Sequence, residues 1–464
     1  MSTSFFQDML GSIAERGRQL LDRPAVRPTS KKTGGKGAAR DAETIEDLSR
    51  ALLSGRGEAS GVALARQVLD LYAGLPITER IAFFRLLARD FGPDQQRLRA
   101  AWSEYDNAPT PPNLQRLLRA VEPPRQELFR RLNLAPGGTS ALVSMRQDLL
   151  EQGGNDPELA SVDDDLVHLL YSWFNRGFLM MQRISWSSPA DILERIIRYE
   201  AVHMIQDWDD LRRRVQPSDR RCYAFFHPSL VDEPLIFVEV ALTREIPASI
   251  QGILADDRTV LAADQATTAV FYSISNCQPG LRGISFGNFL IKQVVADLSR
   301  DLPSLKTFVT LSPAPGFGRW LKRVAERPAE AGLDDRDAAP LALLENPDWH
   351  RDPAVADQLR PLVTGLAAAY YLRAKTQKGQ PLDPVARFHL GNGARLERLN
   401  WLGDTSAKGL REAAGLMVNY LYDLNTIEAN HEAYANQGTV AASPAVHRQL
   451  HEFTSTVARE ARHV

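Results

Sequence analysis

Cysteine is nearly absent: Cys222 and Cys277 are the only two in 464 residues. Two thiols without CxxC spacing exclude a disulfide framework and a cysteine-rich metal site, and they fit a reducing compartment. Long apolar runs are missing as well. A rich one, residues 235–242, is strand-sized, far short of the roughly 20 residues a membrane span needs. Charge of one sign is not in excess either. The 55 basic and 57 acidic residues leave a formal net charge of −2, which argues against a nucleic-acid partner, since such proteins carry a basic excess or stripe. The N-terminal stretch MSTSFFQDMLGSIAERGRQLLDR has helical periodicity but no secretory apolar core, and Asp8 and Glu15 count against a transit peptide. The closing ARHV is not the Ser-Lys-Leu peroxisomal address. The expected location is cytoplasmic, with no nucleic-acid or membrane partner.

What is present suffices for two or three domains with sizeable cores. Residues 24–41 (PAVRPTSKKTGGKGAARD) are rich in Pro, Gly, Ser and Lys and read as a flexible linker. From about Ala42 to Arg195 the pattern is helical almost throughout. IEDLSRALLS, GVALARQVLDLYAGL and ITERIAFFRLLARDF repeat apolar residues at three- and four-residue spacing, with Pro-containing breaks between helices. No fixed-period repeat suggests a solenoid. After Asp207 the texture changes. CYAFFHP, PLIFVEVALT, TTAVFYSIS and KTFVTLS are dominated by β-branched and aromatic residues and read as strands. Between the last two, ISFGNFLIKQVVADLSR places Phe286, Phe289, Leu290, Val294 and Leu298 on one helical face, which outlines a βαβ unit. From about Asp352 onward the pattern returns to helices. The expected fold class is α+β: an all-α helical-bundle domain followed by a mixed α/β domain.

Three places invite a chemical reading. Asn276 to Gly283 join the strand FYSIS to the following helix, with glycines at 280, 283 and 287 and a cation at Arg282. A helix start leaves unpaired N–H groups and suits an anion, yet Gly-rich strand-to-helix turns also occur as plain connections. The turn resembles the diphosphate-binding turn of the GNAT superfamily of acetyl-CoA-dependent N-acetyltransferases, although its spacing departs from their signature. Ser312 ends the strand KTFVTLS and is followed by Pro313, Pro315 and Gly316. It reads either as a turn residue or as a hydroxyl held rigidly at the sheet edge. No G-x-S-x-G elbow accompanies it. His389 enters a Gly-Asn-Gly loop, as a hydrogen-bonded turn residue or as a proton carrier that Tyr420 or Tyr422 orients. His203 and His227 read as structural. No His/Cys/carboxylate cluster has zinc-ligand spacing, so no metal is expected.

FYSISNCQPGLRGISFGNFLIKQVV, FVTLSPAPGFGRWL and RFHLGNGARLERLNWLGDTSAKGLREAAGLMVNYLYDL together resemble the malonyl-CoA decarboxylase family, as do RRCYAFFHPSLVDEPLIFVEVALT and WFNRGFLMMQRISWSSPADILERIIRYEAVH. The resemblance runs from about residue 170 to 425. It implies an N-terminal segment at 1–41, a helical oligomerisation domain at 42–175 and a GNAT-like catalytic domain at 176–464, assembled as a homotetramer. It implies malonyl-CoA as substrate, acetyl-CoA and carbon dioxide as products, and no cofactor. By motif, Arg282, Gly283, Ile284, Ser285, Phe286, Gly287 and Asn288 would contact the substrate. Ser312 and His389 would do so too, as the catalytic pair, with Tyr422 supporting the imidazole. Ser285 stands where some relatives carry Glu. Malonate catabolism and control of malonyl-CoA for fatty-acid metabolism both fit. Two rival expectations are an acyl-CoA-dependent acyltransferase, which consumes an acceptor and releases no gas, and a CoA-binding scaffold, which leaves malonyl-CoA unconverted.

Overall fold

The structure is a computed structural model and describes residues 44–54, 57–154, 156–284 and 289–460. The linker expected at residues 24–41 lies outside them. The chain divides into two compact units: Met1–Met180 with Phe226–Leu235 and Gln278–Phe286, and Met181–Phe225 with Ile236–Cys277 and Gly287–Val464.

The first unit contains α1 (Ile45–Leu53), α2 (Glu58–Gly74), α3 (Ile77–Asp90), α4 (Gln95–Asn107), α5 (Pro111–Val121), α6 (Pro124–Asn133), α7 (Gly138–Gln152) and α8 (Pro157–Trp173). Their starts are written in the sequence. Thr44 and Asp47 form a reciprocal capping box, and the side chains of Asp94, Thr110 and Asp156 accept first-turn N–H groups. Pro111, Pro124 and Pro157 occupy first-turn positions, where the missing N–H costs nothing. Phe84, Leu87, Leu128, Phe129, Leu142 and Leu166 are wholly buried, each contributing about 1.5–3 kcal/mol relative to exposure. One buried ion pair, Arg125 with Asp165, crosses this core. Its guanidinium also donates to the Ser161 carbonyl at 3.2 Å, so the charges do not lie unpartnered.

The second unit is built on an eight-stranded sheet. In chain order its elements are β1 (Met180–Ile184), α9 (Ala190–Tyr199), α10 (Trp208–Val215), β2 (Arg220–Phe226), β3 (Pro234–Thr243), α11 (Ile250–Leu254), β4 (Thr268–Asn276), α12 (Phe289–Asp301), β5 (Thr307–Thr310) and β6 (Ser312–Pro313). There follow α13 (Phe317–Glu326), α14 (Asp335–Ala338), α15 (Pro353–Leu372), α16 (Pro384–Gly391), β7 (Arg395–Asn400), α17 (Ala407–Ala413), β8 (Met417–Leu421), α18 (Ile427–Gln437) and α19 (Pro444–Glu460). The strand order is β1-β2-β3-β4-β5-β8-β6, with β7 paired to β8. β4 and β5 are parallel and α12 is their crossover, as the βαβ outline anticipates. On α12, Leu290, Val294 and Leu298 are buried as expected, while Phe286 lies outside the described residues. β2 is buried along its whole length and β3 along nearly all of it, which accounts for their near-continuous apolar text.

Two expectations need correction. The helical run expected from residue 42 to 195 is interrupted by β1, and the helices expected after Asp352 are interrupted by β7 and β8. β1 is exposed at three of its five positions and buries only Ile184, so it carries little alternation to read. In β7 the spacing of Leu396 and Leu399 imitates a helix. Its cause is a bulge: Leu396 pairs with Tyr420 and Arg398 with Asn419, leaving Glu397 as an extra residue that brings both leucines to the buried side. Among the described residues no helix is long and apolar enough to cross a membrane.

Candidate active site

Ser312 is held by the backbone on both sides. The preceding Leu311 N–H donates to the Phe271 carbonyl at 2.9 Å, and Ser312 itself pairs with Val418 of β8. Pro313 and Pro315 then limit the backbone. At Gly316 a β-carbon would lie 2.5 Å from the Tyr370 hydroxyl, so a larger residue there would have to displace that buried side chain. The Ser312 side chain is buried beside the equally buried Thr310, whose Oγ1 accepts its hydrogen bond at 2.9 Å.

His389 lies in the last turn of α16 rather than in the following loop, which corrects the loop placement expected from sequence. Asp383 caps the helix, accepting from the N–H groups of Val385 and Ala386 at 2.9 and 3.0 Å. At the other end the Asn392 amide donates to the Phe388 carbonyl at 2.6 Å, and the Ala394 N–H to the His389 carbonyl at 3.1 Å. Gly393 has φ +82° and its missing β-carbon leaves room for the Ile427 carbonyl, which would otherwise sit at 2.1 Å. The imidazole is therefore anchored from both ends of a short helix.

β8 supplies the third side. Tyr420 and Tyr422 are two residues apart and share a face. The Tyr420 ring stacks on His389 with centroids 4.6 Å apart. The Tyr422 hydroxyl lies 2.8 Å from His389 Nδ1, and Ser312 Oγ lies 3.1 Å from Nε2. The structure thus brings together Ser312, His389 and Tyr422, three residues far apart in sequence. Burial pushes the His389 pKa down to about 3 and the Tyr422 phenol well above its ordinary value. The imidazole is neutral near pH 7, with one N–H and one lone pair to offer.

The glycine turn belongs to the first unit. Pro279–Leu281 form a single tight turn, and α12 is first described at Phe289. Arg146 of α7 is buried and donates from Nη1 to the Gly280 and Arg282 carbonyls at 2.7 and 2.8 Å, while its Nε reaches Asp163 at 2.8 Å. Gly280 packs so closely on α7 that a β-carbon would meet the Val143 carbonyl at 1.9 Å. Its smallness serves packing. Gly283 adopts φ +85° with open space around it, the conformation glycine tolerates best. Arg282 and Gly283 are exposed and Ile284 is buried; Ser285, Phe286, Gly287 and Asn288 lie outside the described residues.

Sequence reasoning missed Thr310, Asp383 and Arg146. Thr310 is two residues before Ser312 on a strand, so their side chains point the same way, and Asp-Pro before RFHL is a helix-start signal for Asp383. Nothing local marks Arg146, whose carbonyl partners at Gly280 and Arg282 lie more than 130 residues on. Among the described residues no group of three His, Cys, Asp or Glu side chains is arranged to hold a metal ion.

A family model described as the malonyl-CoA decarboxylase C-terminal domain matches residues 177–460, and one described as the malonyl-CoA decarboxylase N-terminal domain matches residues 91–174. The chain is similar to the mitochondrial malonyl-CoA decarboxylase of Anser anser anser, at 37% identity over 415 residues that cover 82% of each chain. It is also similar to the crystal structure of malonyl-CoA decarboxylase from Rhodopseudomonas palustris, at 58% identity and a TM-score of 0.85, covering 87% of this chain and 98% of that one. The corresponding values for malonyl-CoA decarboxylase from Agrobacterium vitis are 56%, 0.84, 88% and 99%.

Proposed function

The chain belongs to the malonyl-CoA decarboxylase family, and from that premise we propose that Ser312 and His389, with Tyr422 behind the imidazole, carry the loss of carbon dioxide from malonyl-CoA. The enzyme is a carboxy-lyase: malonyl-CoA and one proton give acetyl-CoA and carbon dioxide. The substrate carboxylate is β to a thioester carbonyl. When the C–C bond breaks, its electron pair moves into that carbonyl and leaves an enolate whose charge rests on the thioester oxygen. A proton delivered to the α-carbon completes the product. Since the thioester is its own electron sink, this reading requires no metal or organic cofactor.

The protein then has three tasks: to orient the scissile bond, to stabilise the enolate oxygen and to supply the proton. His389 is the proton donor and is restored from solvent after each turnover. Ser312 hydrogen-bonds at the reacting end, where the carboxylate departs. The observation that carries this assignment is the buried hydrogen-bonded row Ser312–His389–Tyr422 around a neutral imidazole. The exposed Arg282 with Gly283, Ile284, Ser285, Phe286, Gly287 and Asn288 binds the CoA portion, with Arg146 fixing the turn's backbone.

Incubation of the pure protein with malonyl-CoA alone tests the reading. Acetyl-CoA and carbon dioxide should appear in equal amounts, with no acceptor added and no loss of rate after exhaustive chelation. His389→Asn should lower kcat by about 10²–10⁴, the range of a lost general acid, with KM largely kept. Turnover unchanged in that variant would remove His389 from the chemistry.

A further inference from the structure

We propose that Thr310 is a positioning residue for this reaction: its hydroxyl oxygen, as the terminal acceptor of a buried row, dictates which nitrogen of His389 carries the proton. The proposal rests on the reading of Ser312 and His389 given above. Thr310 is fully buried on β5. Its Oγ1 accepts from the Tyr420 backbone N–H at 3.2 Å, a bond whose direction is fixed because a backbone N–H only donates. Ser312 Oγ donates to the same oxygen at 2.9 Å. A hydroxyl has one proton to give. With that proton committed to Thr310, the 3.1 Å contact between Ser312 Oγ and His389 Nε2 is made by Nε2–H donating to Oγ. A neutral imidazole has one N–H, so Nδ1 holds the lone pair and accepts from the Tyr422 hydroxyl at 2.8 Å.

The order of donation is thus Tyr422 to His389, His389 to Ser312 and Ser312 to Thr310. It leaves a transferable proton on the side of the imidazole that faces Ser312, as a donor to an enolate requires. Without the Thr310 oxygen, the Ser312 hydroxyl is released to turn its proton toward Nε2. The imidazole then carries its proton on Nδ1, toward Tyr422, and presents a lone pair where the reaction needs an acid.

The test uses Thr310→Val and Thr310→Ser in the full chain, with His389→Asn as reference. Solid-state ¹⁵N spectra of histidine-labelled enzyme, with His389 assigned by difference against His389→Asn, should show an Nε2-protonated ring in the native protein and in Thr310→Ser. Thr310→Val should show Nδ1 protonation and a kcat lower by about 10², the lower end of a general acid's contribution, with KM for malonyl-CoA within about twofold of native. Native enzyme protonated on Nδ1 would overturn the proposal without any variant needing to fold. So would Thr310→Val with native kcat, a loss of kcat without a tautomer change, or Thr310→Ser as impaired as Thr310→Val. If His389→Asn itself turns over normally, the catalytic reading fails. If His389→Asn is inactive and Thr310→Val is not, only the role of Thr310 fails.

Discussion

At His389 burial alone sets the protonation state, since desolvation is the cause that drives its pKa down to about 3 from an ordinary value near 6.5. An unfolded chain takes up this proton as pH falls through about 6.5, and the folded chain does so only near 3. Acid therefore favours unfolding across that window, by up to about 1.4 kcal/mol per pH unit, and above it the residue contributes nothing. His203, held down to about 4 mainly by its own burial, acts in the same direction. Going from pH 7 to pH 5, the native enzyme should lose about 2 kcal/mol more unfolding free energy than His389→Asn, measured by urea denaturation. Equal losses would mean that the imidazole is not buried neutral. At this scale the sequence was informative for residues that stand in unusual company: Ser312 before Pro-Ala-Pro-Gly, His389 before Gly-Asn-Gly, Tyr422 in NYLYDL. Thr310 was not legible, because a threonine in a strand is unremarkable until the neighbouring strand β8, over 100 residues on, delivers the Tyr420 N–H to it.

The elements show why the imidazole and the serine meet. α16 is only eight residues long, too short to be stable by propensity, and its orientation depends on its ends. Asp383→Ala removes the acceptor for two first-turn N–H groups and should cost about 1–2 kcal/mol in urea denaturation. It should lower kcat more than it raises KM, and Asp383→Asn should restore most of the stability. A second element-scale test concerns the glycine turn. Arg146→Met leaves the Gly280 and Arg282 carbonyls without their buried donor, and KM for malonyl-CoA should rise several-fold with kcat changed less. The opposite pattern would detach the turn from substrate binding. β2 to β5 and the α12 face were readable because unbroken β-branched runs and a 3.6-residue period are strong signals. β7 was not, since one extra residue at Glu397 shifts its alternation into a helix-like spacing, and β8 was hidden because it is short and buried at four successive positions, which leaves no alternation to read.

For the whole molecule the α+β division was legible because two periodicities occupy different stretches of the chain. Assembly is expected only through resemblance, and one surface of the first unit bears on that expectation. On the adjacent helices α4 and α5, Trp102, Leu114, Leu118 and Val121 are all exposed. The last three recur at helical spacing along one face of α5. Large apolar side chains grouped on a helical hairpin mark a contact surface more often than scattered ones do, so we propose this hairpin as the surface through which the expected association would form. Leu118→Glu places a charge in the middle of that face at a position already open to water, so the fold of the subunit should survive while association weakens. Light scattering should report a tetramer for the native enzyme and a smaller particle for Leu118→Glu, with unchanged helical circular dichroism. A variant that keeps the native mass would mean that this hairpin is not the surface through which subunits associate.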